Sequence, residues 1–127
     1  MNLEKVIFGF FIILALTLNF GFVLGEIDNP AHHNVYELFA AIVVNLVATL
    51  LKFGDRTQTG ALLLATSLVA ILQLFAAAVV WGYAVNISAT GLDAMMMASI
   101  VSLAAGAMIA NVISVVLLIA DTIVLRR

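Results

Sequence analysis

The chain has 127 residues, 65% of them hydrophobic and only 9% charged, with a formal net charge of −2. A soluble domain carries roughly a quarter charged residues, so the polar surface here is too small to cover a globule in water, and lipid is the solvent that remains. Five cations are too few for a phosphate-tracking stripe, which excludes nucleic acid, and the absence of cysteine excludes disulfides, thiolate metal sites and cysteine nucleophiles.

The first element is the uncharged run Val6 to Leu24. At about 1.5 Å per helical residue, a run of this length covers a hydrocarbon core of roughly 30 Å. A signal peptide has a shorter apolar region and a small-residue cleavage site, whereas this run ends in Gly25-Glu26-Ile27-Asp28-Asn29-Pro30. The expectation is a retained helix over about 5–24. A second helix over 35–53 opens with Asn34 and Glu37, the spacing of a capping box. A third over 60–83 contains no formal charge. The fourth, over 94–124, follows Thr90-Gly91-Leu92-Asp93, a further capping-box pattern. The only proline, Pro30, lies in the first loop. Short connections favour antiparallel neighbours and leave no room for a soluble domain. Spanning strands would need alternation over about ten residues, which these uniformly apolar runs lack.

Orientation follows from the cations. Lys5 precedes helix one, Lys52 and Arg56 flank the second loop, and Arg126 and Arg127 follow helix four. Four crossings put all five on one side, and the first and third loops contain no Lys or Arg. Positive charge stays in the cytoplasm, so both termini are expected inside, with Tyr36, Trp81 and Tyr83 at the outer interface. The fold class is thus an all-α membrane protein, a four-transmembrane-helix bundle, N-in/C-in with short loops, forming one domain over 1–127 in a bacterial inner membrane.

Each crossing holds one uncharged amide: Asn19, Asn45, Gln73 and Asn111. An amide facing lipid leaves donors and acceptors unpaired at several kcal/mol, so these side chains should point inward or towards another subunit. They can be interhelical glue, at about 0.6 kcal/mol per bond, or the lining of a pathway for an ion or small solute. Sequence leaves both open. Glu37, Ala41, Asn45, Ala48 and Lys52 form a stripe on helix two. Ser99, Ser102, Gly106, Ala110 and Ser114 form another on helix four. Small residues at these intervals suit close helix packing, and the stripe with Glu37 and Asn45 also suits a wet pathway.

The outer face carries Glu26, Asp28, Glu37 and Asp93 without a basic partner in its loops. Such a vestibule concentrates cations, although caps and solvated loops account for the same residues. His32 and His33 are adjacent in the outer loop, where protonation near pH 6.5 would partly cancel that negative charge. They make a candidate pH sensor rather than a metal site, because adjacent residues rarely face one ion and no third ligand has matching spacing. No cofactor pattern is present. No histidine within a crossing can act as a base and no two carboxylates share a depth, so an enzyme is not expected.

The segment from Asn34 through Asn45 and Gly54-Asp55-Arg56 to the region of Thr59, on through helix three and Ala110-Asn111-Val112-Ile113-Ser114, resembles a family of small, uncharacterised proteobacterial membrane proteins. That resemblance implies the four-helix fold and brings no activity or binding residues. The fluoride channels and small multidrug exporters have similar length, but the phenylalanine box of the first and the intramembrane glutamate of the second are missing. The expectation is a homo-oligomeric cation channel or transporter embedded in lipid, with Glu37 and Asn45 favoured as lining residues and a polar pathway on or near the oligomer axis. The alternative is a non-conducting accessory subunit or scaffold, in which amides and small stripes are adhesive surfaces.

Overall fold

The computed structural model describes residues 3–125. Arg126 and Arg127, two of the cations used for orientation, lie outside the described residues. Four helices account for most of the chain: α1 (Leu3–Val23), α2 (Val35–Lys52), α3 (Gln58–Asn86) and α4 (Ala94–Leu125), with a single 3-10 turn at Pro30–His32 between the first two. Each of the four is long and apolar enough to cross a membrane.

Local chemistry sets the helix ends. Asn34 caps α2 by accepting from Tyr36 N at 2.8 Å. Thr57 caps α3 through Gly60 N at 2.9 Å, which is why α3 begins at Gln58, ahead of the apolar run. The capping box expected at Thr90 is displaced. Asp93 is itself the cap, taking Met96 N on Oδ1 and the Thr90 hydroxyl on Oδ2, both at 2.8 Å. A carboxylate accepts at two oxygens, so it displaces a hydroxyl from the capping position. Glu37 likewise does not close a box with Asn34; its carboxylate lies against Gly21 of α1, where any Cβ would collide with it.

The helices close a ring in chain order, α1 on α2, α2 on α3, α3 on α4 and α4 back on α1, with α3 and α4 most extensively packed. Only about a third of each span is buried, and the outward faces carry large apolar side chains such as Phe10, Leu72, Val79 and Ile109. This inverts the pattern of a soluble bundle and fits a lipid surround. Inside, Ala15, Ala41, Ala70, Ala77, Ala104 and Ala107 are fully buried, so the backbones approach closely and dispersion holds them together.

The apolar interior falls into two clusters. One gathers Phe22, Leu38, Leu74, Met97, Ile100 and Val101 at the end that carries the 25–34 and 87–93 loops. The other gathers Phe8, Ile12, Ala48 and Leu63 at the opposite end. The loop end of the first cluster holds Glu26, Asp28, Glu37 and Asp93 and is called the acidic end below. The other holds Lys5, Lys52 and Arg56, together with Glu4, Asp55 and Asp121, and is called the basic end.

Candidate functional site, a polar layer inside the bundle

Contacts between helices set their register. Lys5 reaches Asp121 at 3.1 Å and Gly9 faces Leu118, while the Asn19 amide meets Ala104 and Met108, so Ala15 of α1 stands level with Asn111 of α4. Glu37 against Gly21 and Lys52 over the Phe8 ring bring Asn45 of α2 to the same level. The Thr66–Ser114 and Gln73–Gly106 contacts bring Ser67 and Ala70 of α3 there as well. Asn45, Ser67 and Asn111 are each 0% exposed, so on three helices of a closed ring they face the interior within about one turn of each other. Their layer lies between the two apolar clusters.

Hydrogen bonding sorts the amides into two kinds. Asn19, in the orientation that satisfies both ends of its amide, donates to Ala104 O at 2.9 Å and accepts from Met108 N at 3.2 Å. It joins α1 to α4. Thr66 and Ser114 join α3 to α4 through their hydroxyls. By contrast, among the described residues Asn45 and Asn111 have neither amide end paired, and Ser67 Oγ and Gln73 Oε1 are unpaired too. The Gln73 amide lies against Gly106, in space that only a glycine leaves open. Ser99 and Ser102 do not join this interior. They occupy the outward face of α4, with Ser99 Oγ bonded to Met95 O at 3.3 Å.

Beyond the layer, the basic end opens into a cavity of about 830 Å³ lined by Phe8, Lys52, Asp55, Thr59, Leu63 and Asp121, among others. Asp121 links three helices, accepting from Lys5 Nζ of α1 and from Thr59 Oγ1 of α3, each at 3.1 Å. Lys52 pairs with Asp55 at 3.5 Å and lies 4.4 Å above the Phe8 ring centroid. Hydrogen bonds from the Thr57 amide and hydroxyl hold the Asp55 carboxyl below its usual range, with Lys52 adding to the effect. Sequence reasoning passed over Asp121, Thr59 and Ser67. Asp121 was accessible to it, being the one carboxylate near the end of the fourth apolar run and on the same side as Lys5.

At the acidic end, Glu26 and Asp28 are exposed, and no ion pair involves the acids of this end among the described residues. Asp93 is held below the ordinary carboxylate value, first by the Met96 amide and then by the Thr90 hydroxyl. The two histidines have separate roles in the loop. His32 Nδ1 accepts from Glu26 N at 2.9 Å. His33 is buried, with Nδ1 2.6 Å from Phe22 O and Nε2 2.7 Å from Glu26 O. A neutral imidazole donates to one of those carbonyls, and the imidazolium donates to both. His33 thereby ties the 25–34 loop to the end of α1, beside Phe22, which also packs on Trp81 at 6.2 Å between centroids.

Residues 32–122, most of this arrangement, match a family of unknown function, DUF6394. The chain belongs to that family. DUF6394 as matched spans the acidic-end tie at His33, all of α2 and α3, and α4 as far as Asp121 and Thr122. No curated protein and no solved structure is similar to the chain.

Proposed function

We propose that this DUF6394 protein is a non-enzymatic cation channel or transporter of a bacterial inner membrane, homo-oligomeric, with both termini cytoplasmic. Orphaned amides are the observation that carries the reading. Glue requires a partner, and burying an amide without one costs several kcal/mol where no water reaches it. Asn19 meets that requirement, while Asn45 and Asn111 do not. Polar groups held unpaired at such a cost suit a transient guest better than a permanent contact.

Two further features support it. From the acidic end inward, Glu37, Asn19, Gln73, then Asn45, Ser67 and Asn111, then Thr66 and Ser114, and finally Asp121 succeed each other along the bundle. The acidic end would gather cations at one mouth of this file, with Glu26 and Asp28 as its exposed charges. In this arrangement the file runs through each chain's own bundle, and oligomerisation supports the four helices rather than supplying the route.

The test is flux. Full-length protein in liposomes is expected to pass monovalent cations, and Asn45→Leu is expected to reduce the rate at least about tenfold, one step of roughly 1.4 kcal/mol in the barrier. Glu37→Gln should weaken the dependence on low external salt, since it removes a charge at the mouth. A well-folded oligomer without any ion flux would favour the accessory or scaffold reading instead.

A further inference from the structure

We infer that Asn45, Ser67 and Asn111 together form a binding site for a single, partly hydrated monovalent cation at the middle of the bundle. This deepens the transport reading and rests on it for the passage of the ion. The site itself is argued from burial, register and donor chemistry.

Three side chains from three helices share one level, each fully buried and each with polar atoms unpaired among the described residues. The remaining helix, α1, contributes only Ala15, and on α3 Ala70, at the edge of the first cluster, lies one turn from Ser67, so the layer is amide, small, amide, small around the ring. Bulky side chains lie above and below it: Leu38, Leu74 and Met97 on one side, Phe8, Ile12 and Leu63 on the other. The break between the two apolar clusters falls at this level, where the buried side chains are polar or small.

The unpaired atoms define the guest. Asn45 Oδ1, Asn111 Oδ1 and Ser67 Oγ are neutral oxygens, the hard ligands that alkali cations take in place of water. No carboxylate stands at this level, since Glu37 lies towards the acidic end beside Gly21 and Asp121 is at the basic end beside Lys5. A divalent ion, which calls for carboxylate charge, is therefore disfavoured. The two Nδ2 groups are donors and cannot bind a cation directly, but they can donate to water that the ion retains. An ion with part of its hydration thus satisfies both ends of both amides. An anion could take the two Nδ2 groups and the Ser67 hydroxyl but would leave both amide oxygens unanswered.

The experiment compares purified full-length protein melted in sodium, potassium, calcium or choline chloride at equal ionic strength. Sodium or potassium is expected to raise the midpoint by about 5 °C over choline, the effect of a ligand that binds only the folded state, and calcium is not. Asn45→Leu and Asn111→Leu should each abolish the rise. Both variants should melt in choline no lower than the parent, because an apolar group of similar size replaces an unpaired amide. If a leucine variant fails to fold, Ser67→Ala removes one ligand oxygen with little change in volume and should at least halve the rise. No alkali-dependent rise in the parent, or a rise that survives these substitutions, overturns the site. An alkali-dependent rise lost in the variants, but with liposomes that pass no ion, would leave the site standing and remove the transport reading. Flux without the rise would do the reverse.

Discussion

Asn19 and Asn45 are the same residue type, both fully buried, yet their surroundings differ in kind. Asn19 bridges to the backbone of α4, and the Asn45 amide meets no partner among the described residues. Opposite responses to one substitution follow. Asn19→Leu removes two interhelical bonds and should destabilise the protein by about 1 kcal/mol, at roughly 0.6 kcal/mol per bond in a bilayer-embedded bundle. Asn45→Leu removes none and should leave stability in the absence of alkali cations unchanged or raised. Unfolding in graded mixtures of mild detergent and dodecyl sulfate measures both. Equal losses for the two variants would mean that Asn45 has a bonding partner after all. The presence of four amides within the helices, Asn19, Asn45, Gln73 and Asn111, could be read from the residues alone. Which of them is satisfied could not, because a hydrogen bond of 2.9 Å depends on the rotation of two helices about their axes, and composition says nothing of that rotation.

Among the elements, α4 shows how a terminus departs from its sequence pattern. Thr90 and Asp93 have capping-box spacing, but Asp93 takes the first-turn amide of Met96 and uses Thr90 as a second donor. Those bonds favour the ionised carboxylate, so its folded value lies below the ordinary 3.8. The resulting stabilisation of the first turn is present above the unfolded value and disappears as pH falls through the folded one. Protection of the Met96 and Met97 amides, measured as exchange relative to an unstructured peptide at the same pH, should therefore be high at neutral pH and fall on acidification below about pH 4. In Asp93→Ala it should be low throughout. Protection in the variant that still changes across that pH range would assign the effect to another group. Helix ends elsewhere lie a few residues beyond the apolar runs, as at Gln58 and Asn86, because caps and last-turn bonds extend a helix past its apolar run.

For the whole molecule, the charge pattern divides the two ends. Among the described residues the basic end balances Lys5, Lys52 and Arg56 against Glu4, Asp55 and Asp121, with Lys5 and Lys52 in ion pairs. Arg126 and Arg127, outside the described residues, are the next two residues of the sequence after α4. The acidic end has four carboxylates and no Lys or Arg. A membrane with a cytoplasmic preference for Lys and Arg should hold this chain with both termini inside. Cysteines introduced one at a time at Asn2 and at Thr90, in a chain that has none of its own, should be protected and labelled respectively by an impermeant thiol reagent on intact cells. Labelling at position 2 would reverse the orientation and place the acidic end in the cytoplasm.

By itself, the sequence determined the number of helices, their approximate limits and the segregation of charge between the ends. Those properties are local: about twenty apolar residues in a row are enough to specify a span, and short loops force the next one to run back. Only the tertiary structure decided which faces turn inward, and so which polar groups meet. In a soluble bundle the apolar stripe marks the buried face. Here the outward and inward faces are both apolar, so residues on the two look alike until packing brings Asn45, Ser67 and Asn111 to one level and leaves Ser99 and Ser102 outside.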